Sequence, residues 1–198
     1  TIPNGVNLQK YEYSERPKGK NIACIGYMIM RKNPMFLIQC MQKLHYIDPE
    51  YKLFFAGQFS DFMLEQYFRH MTKQLGLEDV IIFDGWQENI TAWLEDKHYI
   101  VSTSIGESQG MGVLEAMACG LKPVIHNFPG ADEIFSQEFL FNISEDFCRQ
   151  VLSDSYEPWR YREFVSARYP LRSQLENIDG IFRYFENMPL RKNLEADF

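Results

Sequence analysis

Two glutamates eight positions apart, Glu107 and Glu115, bracket two glycines, Gly110 and Gly112, within the run from Ser104 to Gly120. A carboxylate only accepts hydrogen bonds, which suits it to the paired hydroxyls of a sugar. Glycines where a strand hands over to a helix leave backbone N–H groups unpaired and partly positive, so phosphate can bind there without a basic side chain. Glycine also lets a ligand approach the backbone closely. One carboxylate on a ribose, the other on a second sugar and a diphosphate between them is a coherent reading. Spacing alone leaves a plainer one open, with Met111, Leu114 and Met117 in the core and Glu115 as a solvated helix residue. Gly110-Met-Gly112 makes a weak dinucleotide fingerprint, because the third glycine is missing and the motif follows the fourth apolar run. A Walker A loop fails, since no Lys-Ser or Lys-Thr follows.

Short apolar runs alternating with amphipathic stretches must position these residues. Strands are expected at Ile22–Gly26, Lys52–Ala56, Val80–Phe83, His98–Ser102 and Pro123–Ile125, with a short sixth at Glu138–Phe141. Helical spacing covers Met35 to Leu44, closed by Asp48-Pro49, and about Asp61 to Leu75, closed by Gly76. A short helix is expected over Asn89–Glu95 and another over Gly110–Cys119. Ser144 to Met188 reads as helical, interrupted at Glu157-Pro158 and Tyr169-Pro170. This alternation predicts an α/β fold: a Rossmann-like, doubly wound parallel sheet of about six strands with helices on both faces. On such sheets ligands bind beyond the carboxyl ends of the strands, at the switch in strand order.

Composition bounds the function. The chain has 198 residues, 45% hydrophobic and 24% charged, close to globular averages, which excludes a disordered chain. Its longest apolar run, Ile22 to Met30, is nine residues, half of a membrane span, so no transmembrane segment is expected. A net charge of −7 argues against a nucleic-acid partner, which needs a basic surface. Cys24, Cys40, Cys119 and Cys148 are widely spaced and read as reduced core thiols of a cytosolic protein. His45, His70 and His98 read as surface or strand-edge residues, and His126 ends the fifth strand at the crevice, where a structural role is favoured over a ligand contact. Residues 1–20 read as an interdomain linker remnant, leaving 21–198 as the domain proper, cut from a larger protein.

The block E-S-Q-G-M-G-V-L-E-A-M-A-C-G-L-K-P-V-I closely resembles the E-x7-E signature of glycosyltransferase family 4 (group 1), retaining enzymes of the GT-B fold. Other landmarks fall in order: Ile2-Pro-Asn-Gly-Val-Asn7, Gly26 with Lys32, Phe55-Ala-Gly57, Phe83-x-Gly85 and Pro129-Gly130-Ala131-x-Glu133-Ile134. The resemblance implies the C-terminal, donor-binding half of such an enzyme. Its donor would be a nucleoside diphosphate sugar, with no metal or other cofactor. Glu115 would hold the ribose hydroxyls. Glu107 would orient the donor sugar without acting as a covalent nucleophile, and with Lys32 it forms the expected catalytic pair. Gly26, Lys32, Gly110, Met111, Gly112 and Val113 would hold the diphosphate, and the loop Gly85–Ile90 the base. The missing N-terminal GT-B domain would carry the acceptor site, leaving this chain inactive alone. A role in glycan or cell-surface polysaccharide synthesis follows, at a cytoplasmic location, peripheral to the inner face of the membrane through the full-length protein.

Tyr27 departs from the family pattern. Arg is usual just after the first-strand glycine, where a guanidinium gives phosphate bidentate contacts that Tyr lacks. Arg31, beside Lys32, would compensate in part. Tyr27 thus motivates an alternative, a degenerate GT-B domain that binds nucleotide or a protein partner without turnover. An oxidoreductase is disfavoured by the absent G-x-G-x-x-G after the first strand, and a sugar epimerase by the E-x7-E block.

Overall fold

The computed structural model of the protein describes residues 1–187. Six parallel strands, β1 (Asn21–Ile25), β2 (Lys52–Ala56), β3 (Ile81–Gly85), β4 (Tyr99–Ser102), β5 (Lys122–His126) and β6 (Leu140–Phe141), form one sheet in the order β3-β2-β1-β4-β5-β6. Eight helices follow in chain order: α1 (Pro34–Ile47), α2 (Phe62–Gln74), α3 (Ile90–Leu94), α4 (Met111–Ala118), α5 (Ala131–Ile134), α6 (Ser144–Leu152), α7 (Pro158–Arg168) and α8 (Leu171–Glu186). The order reverses between β1 and β4, which opens a crevice at their carboxyl ends.

Side chains alternate across the sheet and build two cores. Ile22, Tyr99, Val101, Val124 and Phe141 pack with α1, α2 and α6. Ala23, Ile100, Ile125 and Leu140 pack with α3, α4 and α7. A strand covered on both faces must be apolar at every position, which is why these segments read as continuous runs. Local chemistry sets the helix starts. Asp61 caps α2 by accepting from Leu64 N at 2.9 Å, and Asn89 caps α3 by accepting from Ala92 N at 3.2 Å. Asn33, at φ 49°, turns the chain so that Pro34 opens α1.

Several boundaries differ from expectation. The third strand runs two residues further than Phe83, because β2 continues to pair with it through Gly85 across a register shift. The sixth strand is only Leu140–Phe141, since Gln137–Phe139 forms a 3-10 turn first. Two short elements carried no apolar periodicity, the 3-10 turn Met30–Lys32 and α5. The expected last helical residue, Met188, lies outside the described residues. Residues 1–20 lie along the domain, with Val6, Tyr11 and Arg16 buried. His98 is half-buried against Gly19 and takes a hydrogen bond from Asn21 N at 3.3 Å. Among the described residues no helix is long and apolar enough to cross a membrane.

Neighbouring strand ends fix one glycine. Gly57 is buried at φ +148°, and a Cβ there would sit 1.9 Å from Gly26 O, so β1 and β2 approach as closely as backbone allows. Gly57→Ala is expected to lose roughly 2–4 kcal/mol in urea denaturation. Gly180→Ala, exposed in mid-α8 with open space around it, is expected to gain about 1 kcal/mol. Equal effects at the two positions would contradict this packing.

Candidate functional site

The crevice between β1 and β4 is lined by Cys24, Ile25, Lys32, Ser102, Ser104 and Glu107, and closed by the first turn of α4 from Gly110 to Val113. Gly110 adopts the left-handed conformation (φ 69°) that lets β4's loop swing into the helix, and Phe135 lies 3.1 Å from where its Cβ would be. Val113 N and Leu114 N reach back to Gly110 O at 3.0 and 3.2 Å. The N–H groups of Met111 and Gly112 find no acceptor among the described residues, so the helix presents two unpaired donors to the crevice.

Lys32 and Glu107 form an ion pair across the crevice, with side chains 27% and 9% exposed. Ser104, fully buried, donates to the same Glu107 oxygen at 2.7 Å and takes a bond from Ser102 Oγ at 3.1 Å. Thr103 Oγ1 donates to Lys32 O at 2.8 Å, and Ile105 N to Arg31 O at 2.9 Å, which ties the loop after β4 to the turn before α1. His126 sits behind this loop, its Nδ1 3.1 Å from Ser104 O, as part of the framework. Burial pushes the Cys24 thiol on the crevice floor up to about 12, which leaves it unreactive near neutral pH. With the ion pair closed the crevice is only about 60 Å³. A roomier depression, lined by Arg69, His70, Lys73 and Phe83, lies at the β3 edge of the sheet, away from the reversal in strand order.

The structure therefore brings Glu107, Lys32, Gly110, Met111, Gly112 and Val113 together. Gly26 lies beside them, its Cβ position 3.8 Å from Lys32 Cε. Glu115 does not line this crevice. It is half-buried on α4 against the N-terminal segment, beside Tyr11. Tyr27 packs its ring on Trp86, centroids 5.8 Å apart, with 51% and 58% of the two residues exposed. Sequence reasoning missed the residues that hold α4 itself. Arg16 donates to Cys119 O and Arg162 to Ala118 O, at 2.9 and 2.8 Å, so both last carbonyls meet guanidinium groups. These cations complement the negative end of α4 and leave its positive end open. No sequence signal marks them, because each contact spans a long stretch of chain.

A family profile described as "Glycosyl transferases group 1" matches residues 8–147. The chain belongs to the group 1 glycosyltransferases. It is 27% identical over 131 residues to GDP-mannose:cellobiosyl-diphosphopolyprenol alpha-mannosyltransferase of Xanthomonas campestris, covering 65% of this chain and 34% of that protein. The chain thus spans about a third of the length of the curated relatives it matches. Among solved structures it resembles Anabaena HepE in complex with UDP-glucose, with a TM-score of 0.82 at 18% identity over 92% of this chain and 57% of that one. It also resembles the C-terminal domain of a Francisella tularensis group 1 glycosyl transferase, with a TM-score of 0.74 at 22% identity over 84% of this chain and all of that one. The architecture is one Rossmann-like half of the GT-B fold.

In this glycosyltransferase chain, burial holds the pKa of Glu115 above the 4.5 of a free glutamate, against the opposing pull of Tyr11 and Lys10. A carboxyl with a raised folded-state pKa costs nothing while protonated in both states. Its cost appears as pH rises through the unfolded value and is complete above the folded one. Glu115→Gln is therefore expected to be more stable than the parent at pH 7, with the gap closing towards pH 4, in urea denaturation at both pH values. Equal stability at pH 7 would show a solvated carboxylate.

Proposed function

We propose that this chain is the donor-binding half of a retaining glycosyltransferase. In this reading it holds a nucleoside diphosphate sugar for transfer to an acceptor in glycan or cell-surface polysaccharide synthesis. The observation that carries the reading is the meeting, at the β1–β4 crevice, of two unpaired helix-start amides with the Lys32–Glu107 pair. An entering diphosphate offers Met111 N–H, Gly112 N–H and the Lys32 ammonium the anion they lack. As it takes Lys32, it frees the Glu107 carboxylate to accept from sugar hydroxyls, while Ser104 holds that carboxylate in place.

The bond that breaks lies between the anomeric carbon and the diphosphate, so negative charge grows on the leaving group. Helix-start amides and a lysine fixed beforehand stabilise that charge without reorganising. The leaving diphosphate helps take the proton of the acceptor hydroxyl, which attacks from the same face and retains the anomeric configuration. Glu107 orients the sugar, and Glu115, which lies outside the diphosphate crevice on the same helix, would take the ribose hydroxyls in place of its Tyr11 neighbour, with no metal or other cofactor required. The acceptor is held by a second, N-terminal GT-B domain, in keeping with relatives about three times as long, and the chain alone is inactive. The relative named for GDP-mannose and the neighbour bound to UDP-glucose support a nucleotide-sugar donor without choosing its base. The relative's diphosphopolyprenol acceptor supports action beside a membrane, which this reading puts at the cytoplasmic face.

The packing of Tyr27 on Trp86 favours a second reading, a degenerate domain that binds nucleotide without turnover, because the Tyr27 ring offers a diphosphate no bidentate cation. Titration calorimetry against UDP, GDP and ADP tests the donor reading. One of these is expected to bind, about tenfold or more weaker in Lys32→Ala and in Glu115→Ala, given that charge-assisted contacts are worth roughly 1.5–3 kcal/mol. Failure of all three to bind the folded chain at millimolar concentration would overturn the donor reading.

A further inference from the structure

The loop that carries Glu107 is poorly anchored by its own backbone. Between Ile105 and Val113 none of the backbone N–H groups finds a partner among the described residues. Gly106 has open space around it. Beyond Ile105, side chains fasten the loop at two places: Glu107, through Lys32 and Ser104, and Gln109. If the crevice takes a donor diphosphate, the first must open, because the ligand competes for Lys32. The second then has to keep the loop and the unpaired amides of α4 in place.

Gln109 is built for that. Its side chain is 7% exposed and pairs face to face with one backbone unit. Asn4 N donates to Gln109 Oε1 at 2.7 Å, and Gln109 Nε2 donates to Asn4 O at 2.7 Å. The side-chain amide imitates one rung of a sheet between segments 105 residues apart. Two antiparallel bonds to a planar amide fix orientation as well as distance. Asn4 is itself immobilised. Gly5 N donates to Gln174 Oε1 at 2.8 Å, and Gln174 Nε2 to Asn4 Oδ1 at 3.3 Å. Val6 N bonds Tyr169 O at 2.7 Å, and Gly5 lies so close to α8 that a Cβ would meet Leu171 Cα at 2.3 Å.

We infer that Gln109 is a positioning residue, whose paired hydrogen bonds to Asn4 hold Glu107 and the Met111 and Gly112 amides in register with the crevice and tie them to the N-terminal segment and α8. This rests on the donor reading for its functional meaning. The positioning itself is measurable without ligand. Gln109→Met keeps length and volume but neither donates nor accepts as an amide does, and Gln109→Asn is too short to reach both atoms of Asn4.

The test is 15N relaxation of the ligand-free chain followed by titration with UDP, GDP and ADP. In both variants the order parameters of residues 106–112 are expected to fall from the rigid range, about 0.85, to below about 0.6, while the strands stay rigid. Whichever nucleotide the parent binds is expected to bind tenfold or more weakly in the variants. Loosening confined to residues 1–6, with the loop unchanged, would overturn the inference and leave Gln109 as a tether of the N-terminal segment. A loosened loop with unchanged nucleotide affinity would overturn it equally. If the parent binds none of the three nucleotides, the donor reading fails, and the relaxation comparison still decides whether Gln109 fixes the loop.

Discussion

Everything at the site depends on one electrostatic asymmetry, that of α4. Its body is locked between β4 and α7, with Leu114, Ala116, Met117 and Ala118 fully buried. Its last carbonyls are met by Arg16 and Arg162, and its first amides are left unpaired. A helix so placed is a fixed dipole whose positive end faces the crevice. This resolves the tension between a chain of net charge −7 and the anionic ligand proposed for it, because the attraction would come from oriented backbone and one lysine.

The fold makes that asymmetry precise. Because β1 and β4 are neighbours whose connections leave in opposite directions, the turn before α1 and the loop before α4 meet over a single gap. The contacts of Thr103 with Lys32 O and of Ile105 with Arg31 O lock those two loops together. Lys32 thus stands opposite Glu107 because of backbone geometry. Around this frame the N-terminal segment acts as a belt, with Arg162 also donating to Leu8 O and Tyr11 O and Arg16 buried under α3 and α4.

Much of this was legible in the sequence. Strands covered on both faces are apolar throughout, so β1, β2 and β4 stand out, and glycine before an apolar helical run marks the start of α4. What the sequence hid are polar pairings between distant segments: Gln109 with Asn4, and Arg16 and Arg162 with the end of α4. Periodicity records only which face is buried and says nothing of a partner 105 residues away. The two carboxylates show the limit well. Spacing allowed Glu107 and Glu115 to share a crevice, whereas the structure puts Glu107 in it and seats Glu115 against Tyr11.

The central claim is that phosphate is held by the unpaired amides opening α4. The most direct measurement is the 15N–1H spectrum of the chain titrated with a nucleoside diphosphate, followed residue by residue. The account predicts the largest shifts at Met111, Gly112 and Val113, with accompanying changes around Lys32 and Glu107. Largest shifts around Arg69, His70 and Lys73, at the sheet edge, would contradict it.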